Sequence, residues 1–480
     1  MSTRELETDV VVIGAGAVGE NVADRAGRTG LEVVVVEDEL VGGECSYWAC
    51  MPSKALLLPG HALAAARRLP GAAGAVTGGL DTAAVLRRRT SFTSGWDDSS
   101  QVRWLDSAGL GLVRGRARLT GPRRVEVAGE GGTTVLTARR AVVLATGSVP
   151  VLPDVPGLAA ANPWTSREAT SADEVPGRLA VVGGGTVAVE LAQAYARLGS
   201  RVTLLVRSRL LGKEEDFAGE LVADALRADG VDVRLGASPA SVSRAVTAEG
   251  GGEVTVTLGD GSTVLADELL VATGRRPATE GIGLESVGLT DGNGLDVDDT
   301  GLVAGVEGEW LHAVGDVSGR VQLTHQGKYE ARVVGDAIAA RARGELGREA
   351  PAWSRYAATA TRVATPQVTF TDPEVASVGL RSGEAREQGL DVRVVDYAIS
   401  DVAGASLLAD GYTGRARLVV DESRHVVVGA TFVGQGVAEL LHSATVAVVG
   451  EVPLERLWHA VPSYPTVSEV WLRLLETYGL

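Results

Sequence analysis

The sequence predicts an α/β protein built around two Rossmann-like dinucleotide-binding domains, and three observations carry that prediction. A strand, a glycine turn, a helix and a second strand follow one another near the N-terminus, and the same unit returns from Leu179 onward. The composition agrees: 62 glycines in 480 residues, 45% hydrophobic and 22% charged, describe a globular chain with many tight turns. At this length a single core no longer suffices, so roughly two to four domains are expected.

The first unit begins with the strand-like Val10–Ile13 and turns through Gly14-Ala15-Gly16-Ala17-Val18-Gly19. An Ala-rich helical stretch follows, then Gly30 and the β-branched run Val33–Val36, which ends at Glu37. In such a turn Gly14 allows the sharp bend, Gly16 lets backbone approach a diphosphate at the helix N-terminus, and Gly19 allows close helix-strand packing. Glu37, 23 residues beyond Gly14, is placed to accept hydrogen bonds from a ribose 2′-hydroxyl.

The second unit runs from Leu179–Val182 through Gly183-Gly184-Gly185-Thr186-Val187-Ala188 and a helix to Arg197, then past Gly199 into Val202–Val206. One glycine fingerprint is a weak signal, and its repetition makes it a strong one. Gly183, Gly185 and Ala188 take the places of the three turn positions. Counted from Gly30 and Gly199, the position matching Glu37 is Val206, followed by Arg207, Arg209 and Lys213. A neutral residue followed by cations suits a 2′-phosphate, so NADPH is favoured over NADH at this unit.

A net charge of -16 argues against a nucleic-acid or anionic-membrane partner. Arg87-Arg88-Arg89 is too short to overturn that and reads as a solvated helix face. No stretch of about 18 apolar residues occurs, and the polar N-terminus runs directly into the first strand without a secretion signal. The cytoplasm is therefore the expected compartment, where structural disulfides are disfavoured. The chain has two cysteines, Cys45 and Cys50, in Gly-Gly-Glu-Cys-Ser-Tyr-Trp-Ala-Cys. Six scattered histidines complete no zinc set, so no metal is expected and a reversible dithiol is the better account.

With two dinucleotide units and Cys45-x4-Cys50 followed by Met51-Pro52-Ser53-Lys54, the chain resembles the pyridine nucleotide-disulfide oxidoreductases. Glutathione reductase, lipoamide dehydrogenase and mercuric reductase belong to this family. The resemblance covers nearly the full length. Ala145-Thr146-Gly147 and Ala272-Thr273-Gly274-Arg275-Arg276-Pro277 resemble its two strand-to-crossover motifs, Ala313-Val314-Gly315-Asp316 its second flavin motif, and Thr369-Phe370-Thr371-Asp372-Pro373-Glu374 the start of its dimerisation domain.

The resemblance implies a discontinuous FAD domain over residues 1–150 and 278–341, an NAD(P)H domain over 151–276, and a C-terminal α+β dimerisation domain over 351–480 that pairs two chains in a homodimer. It implies FAD and a nicotinamide nucleotide as cofactors. By position Cys50 resembles the flavin-facing thiol and Cys45 the interchange thiol that meets substrate, for which an electropositive or hydrogen-bonding neighbour is expected. Lys54 resembles the lysine beside the reactive flavin nitrogen, and Glu190 its ion-pair partner. Asp316 would bond the ribityl chain, and Glu37 the adenosine ribose. Gly43, Thr146, Gly147, Gly274, Arg275, Gly315 and Thr324 complete the expected cofactor contacts.

One departure stands out. In the disulfide-reducing branches a C-terminal His-x-His-Pro-Thr segment supplies the proton donor, with a glutamate five residues on. Here the segment is Pro462-Ser463-Tyr464-Pro465-Thr466-Val467-Ser468-Glu469, so Tyr464 stands at the histidine position and Glu469 remains. A phenol is a far poorer base near pH 7 than imidazole, which puts general acid-base contributions of about 100-fold to 10,000-fold at stake. His459, five residues upstream, is a second candidate. Tyr47 and Trp48 replace smaller family residues and suggest a substrate pocket of unusual shape.

The leading expectation is an NADPH-dependent flavoprotein that reduces a small or protein disulfide through Cys45 and Cys50. Three alternatives stay open: a dithiol-dependent thioether-cleaving, carboxylating enzyme, where an aromatic residue also replaces the histidine; direct quinone reduction by flavin; and a redox-sensing FAD protein without turnover. Mercuric reduction is disfavoured because no additional cysteine pair exists, and lipoamide dehydrogenase because of Arg207 and Tyr464. Specificity is expected in loops such as Leu80–Leu110, with Trp96 and Trp104.

Overall fold

A computed structural model describes residues 3–245, 251–292 and 294–480. The chain divides into two compact units. The first takes the residues up to Pro52 with Thr90–Val151 and Arg275–Thr361, and the second takes Ser53–Arg89, Leu152–Gly274 and Arg362–Leu480.

The first unit is organised by a seven-stranded sheet. Its parallel part runs Gly111–Arg114, Val33–Glu37, Thr3–Ile13, Gly132–Leu144, with Leu311–Ala313 also pairing along Gly132–Leu144. The antiparallel strands Arg124–Gly129 and Arg116–Gly121 extend it. Period-two alternation assigns each side chain a face. Val10, Val12, Val33, Val35 and Val143 pack under the helices Ala17–Gly27 and Thr324–Ala342, while Val11, Ile13, Val36, Val142 and Leu144 join the opposite core with Leu119, Val125 and Trp310. Both faces are buried, which is why these strands read as unbroken β-branched runs.

The second unit contains a parallel sheet ordered Asp232–Leu235, Arg201–Val206, Arg178–Val182, Glu268–Val271, with the helix Thr186–Arg197 between its first two strands in sequence. Leu179 and Val181 face one core; Ala180 and Val182 face another, shared with a three-stranded antiparallel sheet. A five-stranded antiparallel sheet follows in the order Gln367–Thr369, Glu374–Gly379, Val426–Gly434, Arg415–Asp421, Val392–Ala398. Its strand Val426–Gly434 is buried at every residue, and the helices Val437–Val449 and Val470–Tyr478 cover it. The result is a mixed α/β fold with two parallel dinucleotide-type sheets and a C-terminal α+β portion.

Two expectations are corrected. Leu80–Leu110 is not a loop: it holds the helices Thr82–Phe92 and Ser99–Ser107. The arginine run lies on the first of these, and it is not uniformly solvated. Arg87 and Arg88 are exposed, but Arg89 is 1% exposed and its guanidinium donates to the carbonyls of Thr170 and, at 2.9 Å, Ala172. Among the described residues no helix is long and apolar enough to cross a membrane.

Candidate active site

In the first unit the chain leaves its first strand through Gly14, whose φ of 102° lies in left-handed space. A Cβ there would stand 2.4 Å from the Ala145 carbonyl oxygen, and one on Gly19 would stand 1.9 Å from the Gly14 carbonyl oxygen. The helix Ala17–Gly27 therefore starts hard against the strand ends. Gly16 meets Gly43 so closely that a Cβ on Gly43 would lie 2.7 Å from the Gly16 Cα. Glu37 ends its strand with its carboxylate fixed: the Ala15 N–H donates to Oε2 at 2.7 Å and the Glu39 N–H to Oε1 at 2.9 Å. Burial raises its pKa, and those two amides oppose the rise. Bare backbone at a helix N-terminus beside a fixed carboxylate fits the diphosphate and ribose of a flavin dinucleotide.

A second cluster ties three segments of this unit together. The Thr146 hydroxyl donates to the Ala278 carbonyl at 2.8 Å, and the Gly147 carbonyl accepts from the Ala278 N–H at 3.0 Å. Arg275 donates through Nε to the Ser148 hydroxyl at 2.8 Å and through Nη2 to the Ser148 carbonyl at 2.7 Å. It also lies 3.5 Å from the Glu44 carboxylate. The Ser148 hydroxyl in turn donates to Asp316 Oδ2 at 2.5 Å. Burial pushes the Asp316 carboxyl up while Ser148 and Arg275 hold it down. Gly315, at φ 74°, donates its N–H to the buried Glu330 at 3.2 Å.

The two cysteines belong to this unit as well. Cys45 lies in the short helix Gly43–Tyr47, and Cys50 opens the helix Cys50–Arg67. Both are half-buried free thiols. Thr324, first residue of its helix, brings Oγ1 to 3.3 Å from the Cys50 sulfur. The Cys45 thiol is pushed up first by its bond to Cys50 and then by burial; Thr324 and Lys328 pull it down. Tyr47 is 1% exposed and stacks at a tilt on Trp48, ring centres 5.6 Å apart. Its hydroxyl is buried with no hydrogen-bond partner among the described residues, and burial pushes the phenol up to about 12.

In the second unit Gly183 repeats the logic of Gly14, at φ 139° and with a Cβ position 2.3 Å from the Ala272 carbonyl oxygen. Gly185 has open space at its Cβ position, and Ala188 is buried in the helix behind it. Gly274 ends the paired crossover motif at φ 135°. Val206 closes its strand, buried, with Arg207 and Lys213 exposed beyond it. Arg209 is engaged internally: it meets the Asp216 carboxylate and donates to the carbonyls of Gly212 at 2.6 Å and Glu214 at 3.2 Å.

Lys54 and Glu190 meet as expected of them. The Lys54 ammonium donates to Glu190 Oε2 at 2.8 Å, and the other carboxylate oxygen accepts the Phe370 N–H at 2.8 Å. The same ammonium stands 4.8 Å from the Phe370 ring centre. Tyr464, by contrast, is 77% exposed, and Glu469 is buried with Oε1 accepting from Arg473 at 2.7 Å. Its second oxygen has no partner among the described residues. His459 is exposed, as is Trp104.

Three participants escaped the sequence analysis. Ser148 directly follows Ala-Thr-Gly and joins Arg275 to Asp316. Phe370 lies inside a motif that was recognised, but its amide role needs the tertiary fold. Glu330, 4% exposed, holds the Gly315 turn and accepts from the Thr361 hydroxyl at 3.1 Å. Among the described residues no group of three or more histidines, cysteines or acids is placed to hold a metal.

The family model for pyridine nucleotide-disulphide oxidoreductases matches residues 8–331, a range that contains both glycine turns, the two cysteines, Lys54 and Glu190. The chain belongs to this family. The family's dimerisation domain matches residues 365–474. A mercuric reductase of Streptomyces lividans is 32% identical over 477 residues, covering 98% of this chain and 96% of the relative. A dihydrolipoyl dehydrogenase of Pseudomonas aeruginosa is 32% identical over 473 residues, covering 97% and 96%. Among solved structures, the HOCl-induced flavoprotein disulfide reductase RclA of Escherichia coli superposes with a TM-score of 0.81 at 24% identity, covering 98% of this chain and 99% of that one. The family assignment makes this chain an FAD-dependent, pyridine nucleotide-dependent oxidoreductase.

Proposed function

We propose that this enzyme takes electrons from NADPH and passes them through bound FAD and the Cys45–Cys50 pair to a disulfide substrate, acting in the cytoplasm as a homodimer. The observation that carries the reading is the dithiol itself: two half-buried free thiols on consecutive helices of one segment, Cys50 opening its helix with its sulfur 3.3 Å from the Thr324 hydroxyl. FAD, when bound, supplies the two-electron relay between nicotinamide and sulfur. The rest is positioning by the chain. Gly14, Gly16, Gly19 and Gly43 give backbone access for the diphosphate, Glu37 holds the adenosine ribose, and Asp316, fixed by Ser148, holds the ribityl chain. Thr146, Gly147, Arg275 and Gly315 shape the turns around them.

Lys54, held by Glu190, serves as the cation that favours negative charge at the reducible ring. Gly183, Gly185 and Ala188 take the nicotinamide nucleotide's diphosphate, and the 2′-phosphate is read by Arg207 and Lys213. Arg209, bound to Asp216 and two carbonyls, acts by shaping that loop. Cys50 is the sulfur nearer the flavin, and Cys45 opens the substrate disulfide, taking one substrate sulfur into a mixed disulfide and releasing the other as thiolate. Attack by Cys50 on Cys45 then frees the second thiolate and restores the internal disulfide, so that two electrons and two protons convert one disulfide into two thiols. Tyr464 and Glu469 stand where the proton donor and its orienting acid are expected. The corresponding domains are 1–150 with 278–341 for FAD, 151–276 for NADPH and 351–480 for dimerisation.

The test is spectroscopic. Two-electron reduced holoenzyme is expected to show a long-wavelength thiolate-to-flavin charge-transfer band that Cys50→Ser abolishes and Cys45→Ser retains. A band that persists in Cys50→Ser refutes the assignment. An NADPH-driven screen of disulfides beside the Tyr464→His variant identifies the acceptor class.

A further inference from the structure

We infer that Glu214 and Glu215 are positioning residues for recognition of the nucleotide 2′-phosphate, and that they hold the recognition loop through ion pairs to the C-terminal part of the same chain. This rests on the reading of Arg207 and Lys213 as the groups that meet that phosphate. Discrimination between NADPH and NADH then depends on Arg381, Ser382 and Arg417, all of which lie within the dimerisation-domain match at residues 365–474.

The loop joins the strand Arg201–Val206 to the helix Asp216–Ala228 and carries two cations at its surface. Arg207 and Lys213 are exposed, and neither pairs with an acid among the described residues. Directly after Lys213 the chain turns inward. Glu214 and Glu215 are only 4% and 7% exposed. Glu214 Oε1 accepts from Arg381 Nη2 at 2.9 Å. Glu215 accepts three bonds: from the Ser382 N–H at 2.7 Å, the Ser382 hydroxyl at 2.9 Å and Arg417 Nη1 at 2.8 Å. It stands at the N-cap of its own helix yet makes no cap bond there, because its carboxylate is directed to Ser382 and Arg417 instead.

The middle of the loop is fixed against the glycine turn at Gly183–Gly185. The Leu211 N–H donates to the Gly184 carbonyl at 2.7 Å, and the Glu214 N–H to the Leu211 carbonyl at 2.7 Å. Leu211 holds a φ of 47°, a left-handed conformation that a leucine keeps only where its surroundings impose it. A Cβ on Gly219 would lie 2.3 Å from the Leu210 carbonyl oxygen, so the helix Asp216–Ala228 sits directly against the loop. The turn that takes the diphosphate and the cations that meet the 2′-phosphate are thereby held at one spacing. Buried ion pairs add little net stability, since desolvation offsets their attraction; here the bonds of Glu214 and Glu215 fix geometry. A loop ordered before binding loses less entropy when the phosphate arrives.

The experiment compares two nucleotide fragments that differ by the 2′-phosphate. Oxidised FAD-loaded enzyme is titrated calorimetrically with adenosine 2′,5′-bisphosphate and with adenosine 5′-monophosphate. Glu215→Gln is expected to weaken the bisphosphate about tenfold, the scale of ordering two long side chains and their loop on binding, and to leave the monophosphate within about twofold. Arg417→Met, which removes a partner of Glu215 from the C-terminal side, is expected to act in the same direction. In turnover both variants should raise KM for NADPH while kcat stays level. Equal weakening of both fragments, or an unchanged preference in both variants, overturns the inference, since a merely structural role lowers the melting temperature without touching the ratio. Should Glu215→Gln fail to fold, Arg417→Met decides. Wild-type enzyme that binds the two fragments equally defeats the 2′-phosphate reading itself and the inference with it; a wild-type preference that the variants keep defeats the inference alone.

Discussion

Replacing Glu190 by glutamine isolates the electrostatic core of the second unit. The carboxylate uses both oxygens as acceptors, one for Lys54 and one for the Phe370 N–H, each at 2.8 Å. Glutamine has one acceptor oxygen and one amine. If the oxygen faces the lysine, the amine opposes the Phe370 N–H; if the side chain flips, the amine opposes the ammonium. Either way two donors confront each other in a site where Glu190 is 2% exposed. One orphaned buried donor costs about 1–3 kcal/mol, and loss of the charge-assisted bond adds to it. Lys54 retains some access to water, its side chain being 28% exposed, which keeps the total below the full cost of a stranded buried charge. A loss of about 2–4 kcal/mol follows, or roughly 4–8 °C in melting temperature for a unit of this size. Thermal melts of the holoenzyme, followed by flavin fluorescence and by circular dichroism, measure it. Phe370→Leu is the control, since it keeps the backbone amide, loses the ring beneath the ammonium and is expected to cost only about 0.5–1 kcal/mol in cation-π energy. A Glu190→Gln melt within 1 °C of wild type, approximated from the same scale, would refute the two-acceptor argument.

Two further expectations concern other parts of the fold. Glu20 has a folded-state pKa raised from 4.5 to about 7, so the folded chain binds the proton more tightly and its stability falls as pH rises through that window. Glu20→Gln should therefore gain stability over wild type at pH 8, with a ceiling of about 3 kcal/mol, and lose that advantage below pH 4.5; melts at pH 8 and pH 5 showing no difference in the gain would contradict it. Arg89→Ala should destabilise by about 2–4 kcal/mol because it strips the donors from two carbonyls and opens a cavity, while Arg87→Ala on the same helix should stay within about 0.5 kcal/mol. Equal melting temperatures for those two variants would mean that the buried guanidinium contributes nothing.

What was legible in the sequence is what depends on local geometry. A diphosphate-binding turn demands glycine because backbone elsewhere occupies the Cβ position, as the Ala145 and Ala272 carbonyls do at Gly14 and Gly183. Strand faces were legible for the same reason, since Val10–Ile13 alternates between two cores. The helices inside Leu80–Leu110 were missed although their start signals are present: the Ala84 N–H donates to Asp81 at 2.9 Å and the Ser99 N–H to Asp97 at 2.8 Å. The first is a cap bond and the second an Asx turn just ahead of the helix, and Ser and Arg obscure the apolar periodicity that follows them. The Phe370 amide was beyond reach, because its acceptor lies 180 residues earlier and only strand pairing and helix packing bring them together.

The substitution at Tyr464 shows why motif identity underdetermines chemistry here. A histidine combines two roles, proton donor and positive charge, in one ring; tyrosine retains the first and forfeits the second. Arg473, on the helix that follows this segment, is bound to Glu469 and Glu476. Substitutions at Tyr464 should therefore act on the protonation of the departing thiolate, and Tyr464→His should move the pH dependence of disulfide turnover toward neutral pH.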